Sequence, residues 1–284
     1  MNSRLLAGAL LLSLAARAAG GTAAVLSSGG GAYMEALSAF QAAYGSDVPY
    51  YDLSRGKPAL PPGTGVVAAF GGKAAVQAYP PGTRLVYAMA PGVSLKQPGA
   101  VKISLLPPLS IVLAKLKAIQ PGLKALKVLW MTTLLGDNVE RMKAEGAALG
   151  IAVTSAQVER AEDLPALLRR GLGTMDAFWL PPDPLLATAE NLLILKEFSW
   201  ANGIPFYGST KGMTREGAVA SAGVSFRDMG ETAAAAVRKI ENGESQPPML
   251  FPEKMELSLN ATAARKCGLH LSPDLVREAV YLFP

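Results

Sequence analysis

A single carboxylate, Asp183, sits in "LPPDPLLA" between an apolar run and a long apolar-striped segment. A carboxylate in such a place can move a proton, balance a ligand's charge or cap a helix. Pro184 follows it, and proline suits the first helical position, so Asp183 is placed to cap a helix running from Pro184 to about Ala201. There the helix dipole favours the ionised form, which can pair with an ammonium group but is a poor proton donor near neutral pH. A cap alone and a cap that also touches a ligand both stay open.

The remaining reactive side chains are few. Cys267 and His270 are the only cysteine and histidine, and two residues cannot build the three- or four-ligand shell of a zinc site. One cysteine also forbids an internal disulfide. The chain has no Gly-X-Ser-X-Gly elbow, no Cys-X-X-Cys and no phosphate loop, so neither an enzyme nor a bound cofactor is expected. "GTGVVA" at 63 to 68 precedes a strand, where a dinucleotide site would need to follow one, and reads as a turn. "NAT" at 260 to 262 matches a glycosylation triplet and reads as a helix cap.

Those groups must be positioned by a recurring unit: a β-rich run, a glycine or polar turn, then helical spacing, the grammar of a parallel sheet covered by helices. In the second half the strands are "LKVLWM" (126 to 131), "IAVTSAQV" (151 to 158), "DAFWL" (176 to 180) and "IPFYGS" (204 to 209). Helices follow on Val139, Met142, Gly146 and Leu149, then on Leu164, Leu167 and Leu168, with Asp137 and Glu140 as a capping-box-like start. The first half repeats the pattern in pared form, with strands at "GTAAVLSS", "VPYYDL", "TGVVAAF" and "TRLVYAM" and a helix on Tyr33, Leu37, Phe40 and Tyr44. "GAVASAGVS" (217 to 225), a helix from Met229 to Ile240, and "MELSLN" (255 to 260) arrive late, as if the chain recrossed between two lobes.

In open parallel sheets a ligand binds beyond the carboxyl ends of the strands. Those ends carry Ser27, Ser28, Phe70, Gly71, Ala90, Thr132, Thr133, Asp183, Ser209 and Thr210. Hydroxyls and backbone N–H groups of this kind hold an amino acid or a small organic anion. Tyr33 either closes over an apolar ligand group or belongs to the core. Thr132 and Thr133 either face the cleft or make the turn before Asp137, Asn138 belongs to the helix start, and Trp179 is a core residue.

Composition agrees with a binding protein. Half of the 284 residues are hydrophobic and 17% are charged, enough apolar surface for two cores. Met1 to Ala18 read as an export signal, with Arg4, the apolar Leu5 to Leu14 and a small-residue site at Ala16-Arg17-Ala18, and no cysteine for a lipid anchor. The formal charge of +5 falls to about +3 without Arg4 and Arg17, too little and too scattered for nucleic acid.

The stretches "LKALKVLWMTTLLGDNVERMKAEGAALGI", "DAFWLPPDPLLATAENLL", "IPFYGSTKGMTREGAVASAGVSFRDMGETAAAAVRKIENGE" and "MELSLNATAARKCGLHLSPDLVREA" resemble the ABC-transporter substrate-binding proteins of the periplasmic type I fold. The similarity is greatest to the branch that includes tryptophan- and tyrosine-binding members. It implies an α/β protein of two Rossmann-like lobes joined by three crossovers, near Ile103 to Leu109, Ser225, and Phe251 to Glu256. Lobe one would be 22–105 with 226–250, and lobe two 106–225 with 251–284. The resemblance further implies a periplasmic monomer that binds a small-molecule solute in the interlobe cleft and meets an ABC permease. Where the family strand matching "LVYAMAPG" usually ends in Asp-Pro, this chain has Ala90-Pro91. That departure and the pared first lobe keep a second reading open, a periplasmic sensor or adaptor with a degenerate ligand site and no transporter.

Overall fold

A computed structural model of the protein describes residues 21–132 and 136–284, the side chains of 136–138 excepted. The stretch Met1 to Ala18 that reads as an export signal, Thr133, and the Asp137 and Asn138 side chains lie outside the described residues. The chain forms two sheets. The first has six parallel strands, with β1 (Thr22–Leu26), β2 (Tyr50–Asp52), β3 (Val66–Phe70), β4 (Arg84–Ala88), β5 (Val101–Ile103) and β11 (Met249–Leu250) in the order β11-β5-β4-β3-β1-β2. Its inner strands read as unbroken apolar runs, TAAVL and VVAAF, because a parallel sheet is buried on both faces and has no polar side to present.

One face of this sheet is covered by α1 (Gly31–Tyr44) and α8 (Phe226–Glu241). The two helices lie so close that a Cβ on Gly230 would collide with the backbone carbonyl of Ala36. The opposite face explains the pared look of the sequence. Among the described residues its only helix is the four-residue α2 (Gly72–Ala75), and segments 53–65 and 89–100 cover the rest with Leu53, Leu60, Val93 and Leu95. Side chains do the work of the missing helices: Tyr79 donates to the Ala74 carbonyl at 2.7 Å and Lys102 Nζ to the Val93 carbonyl at 2.7 Å.

The second sheet has seven strands, β6 (Ala125–Trp130), β7 (Ala152–Gln157), β8 (Ala177–Trp179), β9 (Phe206–Gly208), β10 (Ala220–Gly223), β12 (Glu256–Asn260) and β13 (Tyr281–Phe283), in the order β13-β12-β10-β9-β8-β6-β7. Only the β10–β12 pair is antiparallel. Helices α3 (Leu109–Ile119), α4 (Gly136–Ala148), α5 (Leu164–Arg170), α6 (Ala189–Asn202), α7 (Lys211–Arg215), α9 (Ala261–Lys266) and α10 (Pro273–Glu278) accompany it, and its two faces carry separate apolar cores. The chain leaves the first sheet after β5, returns after β10 to lay down α8 and β11, and leaves again before β12.

One helix boundary differs from the sequence expectation. The helix expected from Pro184 begins at Ala189, with the Thr188 hydroxyl accepting from Asn191 N–H at 3.2 Å as its cap. Residues 184–187 form a turn closed by the Asp183 carbonyl, which accepts from Ala187 N–H at 2.8 Å. Asn260 does cap α9, accepting from Ala263 N–H at 2.8 Å, in agreement with the reading of "NAT". Strands β5, β11 and β13 and helices α2, α3 and α7 carry no expectation from the sequence.

Candidate functional site

Asp183 is fully buried just past the end of β8, and its carboxylate is committed to the protein. One oxygen accepts from the backbone N–H groups of Met131 at 2.6 Å and Thr132 at 2.7 Å, the residues that follow β6. The other accepts from the Thr132 hydroxyl at 2.6 Å and from Leu185 N–H at 3.0 Å. Burial raises the acid's pKa, but the bonds from Thr132, Met131 and Leu185 outweigh it and hold the group below its ordinary value. A carboxylate offers about four lone-pair sites, and all are taken within the protein. The expected cap is corrected: Asp183 does not cap α6, and it ties the ends of β6 and β8 together. The same bond occupies the Thr132 hydroxyl.

On the first lobe, Ser27, Tyr33 and Gly71 come together. Gly71 has φ +102, and a Cβ there would lie 2.7 Å from Tyr33 Cε1 and against the Ser27 side chain. Only glycine admits that approach and that backbone. Ser27 Oγ accepts from Ala74 N–H at 3.0 Å, so it holds the start of α2, while Ser28 and Tyr33 are half-buried. Phe70 is a correction: its side chain is fully buried in the core, edge-on to Phe40 at 5.8 Å, and its carbonyl accepts from Ser27 N–H. Met89, with φ +54, turns the chain after β4 and leads Ala90 to Ser94 back over the strand ends.

On the second lobe Ser209 is also buried, with its N–H donating to the Met213 sulfur at 3.3 Å. Thr210 caps α7, accepting from Met213 N–H at 3.4 Å, and stays half-buried. Trp179 is core, as expected, and its indole donates to the Gly208 carbonyl at 3.2 Å.

A cavity of about 290 Å³ lies beside the interlobe passages, and among the described residues none of the ligand-binding positions expected from the sequence lines it. Gly92 and Ser94 follow β4, Leu105 and Pro107 follow β5, Phe251 follows β11, and Pro182 and Arg141 come from the second lobe. Lys102 points into it from the middle of β5. The sequence carried one overlooked signal for it: a lysine flanked by Val101 and Ile103 in a short strand is out of place unless something uses it.

Residues 110–282 match the model of a family described as ABC transporter substrate binding protein. No curated protein sequence matches the chain. Among solved structures, a conserved domain protein from Vibrio cholerae is 18% identical, covers 93% of this chain and 99% of its own, with a TM-score of 0.66. An ABC domain in complex with L-Trp from Streptococcus pneumonia is 16% identical over 92% and 100%, with a TM-score of 0.64. The ligand-free, open structure of a substrate binding protein with adhesive properties from Clostridium difficile is 16% identical over 92% and 98%, with a TM-score of 0.69. These likenesses establish the two-lobe periplasmic binding protein type I fold.

Proposed function

Because this chain belongs to the family of ABC transporter substrate binding proteins, whose members bind solutes and are not enzymes, we propose that it captures one small solute between its lobes for an ABC permease. The solute is an amino acid or a small carboxylate, and capture takes place outside the cytoplasm. The observation that carries this reading is the cavity of about 290 Å³ framed by strand ends of both sheets and by two of the three interlobe passages. That volume lies at the lower end of ordinary small-molecule sites, so it favours a small solute.

The sequence reading also assigns Ser28, Tyr33 and Thr210 to the cleft; all three are half-buried, and none of them lines this cavity. The sequence of Met1 to Ala18 supports export. Among the described residues no helix is long and apolar enough to cross a membrane.

The test is a thermal-shift screen of the mature protein, stripped of co-purified ligand, against amino acids and small carboxylates, with small-angle scattering on any hit. A true solute at a hundred times its Kd adds about 2.7 kcal/mol of stability, and closure of the lobes reduces the radius of gyration. No shift with any solute refutes the reading.

A further inference from the structure

We propose that the cavity beside the interlobe passages selects a small organic anion, a carboxylate with an apolar body and no ammonium group, through Lys102 and Arg141. The inference rests on the solute-binding reading above and names the chemistry of its solute.

The charge inventory is one-sided. Among the described residues that line the cavity there are two cations and no aspartate or glutamate. A free amino acid would bring an ammonium group as well as a carboxylate; of the two acids directly beside lining residues in sequence, Asp183 next to Pro182 has spent its acceptors on Met131, Thr132 and Leu185, and Glu140 next to Arg141 is exposed and pairs with Lys143 at 2.7 Å. An ammonium placed here would meet two like charges and no counter-charge, whereas a carboxylate would meet both charges favourably.

Lys102 is built for that task. It lies in a strand paired on both sides, with Tyr87 of β4 and Met249 of β11 as neighbours, and between the buried Val101 and Ile103. A charge half-buried in a sheet is costly unless something answers it. Its ammonium gives one proton to the Val93 carbonyl at 2.7 Å, and two N–H bonds remain to give. Burial alone pushes its pKa below the ordinary lysine value, with no acid contributing. Arg141, on α4 of the other lobe, presents a planar guanidinium that can grip a carboxylate with two parallel bonds. An anion held by both would link the lobes. The walls provided by Pro91, Leu109, Met249 and Phe251 accept the apolar body.

The test uses matched probes with one carbon skeleton: 3-phenylpropionate, L-phenylalanine and phenethylamine, and in parallel 4-methylpentanoate, L-leucine and isoamylamine. Each is titrated into the mature protein by calorimetry. The acids should bind at least tenfold more tightly than their amino-acid and amine partners. Lys102→Met should weaken the acids about ten- to a hundredfold, as expected for one charge-assisted hydrogen bond. Arg141→Gln, a change on an exposed helix surface that leaves folding intact, should weaken them severalfold and flatten the dependence on salt. Tighter binding of an amino acid or amine, or acid binding that neither substitution weakens, overturns the inference and leaves the solute-binding reading standing. Failure of every probe, together with a blank result in the wider solute screen, overturns both.

Discussion

Replacing Asp183 with asparagine removes one charge and one acceptor from a site where four donors converge. An amide keeps a single carbonyl oxygen, which can serve Met131 and Thr132 N–H or Thr132 Oγ and Leu185 N–H, but not both pairs. The Thr132 hydroxyl can rotate and accept from the new amide, so the best arrangement leaves Leu185 N–H facing another donor. One unsatisfied buried N–H costs about 1–3 kcal/mol, and the surviving bonds lose their charge assistance, so a total of about 2–4 kcal/mol is expected. At roughly 2–4 °C per kcal/mol for a chain of this size, the Tm falls by about 4–16 °C.

The pH profile carries a second signature. Asp183 titrates below its ordinary value in the folded protein, so its contribution is complete above about pH 4 and is lost as pH falls through that value towards the lowered one. Differential scanning calorimetry from pH 3 to 7 therefore finds the gap between wild type and Asp183→Asn narrowing at the acid end. Solute affinity near neutral pH should stay within about twofold, since the carboxylate faces β6 and not the cavity. A Tm within 1 °C of wild type, or a gap that does not narrow, refutes the clamp. A large loss of affinity with unchanged stability refutes its separation from the solute.

Gly230→Ala places a methyl group against the carbonyl of Ala36 and forces α1 and α8 apart. Despite the better helix propensity of alanine, urea denaturation should show a loss of about 1–3 kcal/mol. Thr188→Ala removes the α6 cap and should cost about 1 kcal/mol by the same measurement, whereas no such loss would follow if the helix began at Pro184. Lys102 has a folded pKa lowered by burial, so its own contribution to stability rises with pH from that lowered value up to the ordinary lysine value near 10.4. Tyr79, Tyr87 and Cys267, raised by burial, pull the other way over the same range, so the quantity to read is the Tm difference between wild type and Lys102→Met, which should shift in favour of the wild type in calorimetry from pH 8 to 11.

The sheets were readable because parallel strands buried on both faces leave apolar runs such as "TAAVL", "VVAAF" and "LKVLW", each followed by a turn and a helix. What escaped notice has physical reasons. In β5 a lysine interrupts "VKI", and β11 is two residues long, so neither shows a period. The start of α6 was misplaced because Asp-Pro imitates a cap, while the real partners of Asp183, the N–H groups of Met131 and Thr132, lie some 50 residues earlier in the chain and leave no local trace. Ser27 and Gly71 were readable as strand-end residues of one lobe and Tyr33 as a residue of the helix after its glycine turn, and the structure packs Ser27 and Tyr33 around Gly71. Phe70 and Ser209 were not separable from them, since strand ends alternate between core and cleft and sequence alone does not fix which side each residue takes.

The most direct measurement is a crystal structure of the mature protein with the solute that gives the largest thermal shift. The account predicts that solute between the lobes, against Lys102 and Arg141 and under the turn that carries Pro182, with Asp183 still bonded to Met131 and Thr132. Solute bound on the outer face of either lobe, or an ordered complex in which the cavity holds none of it, would contradict the account.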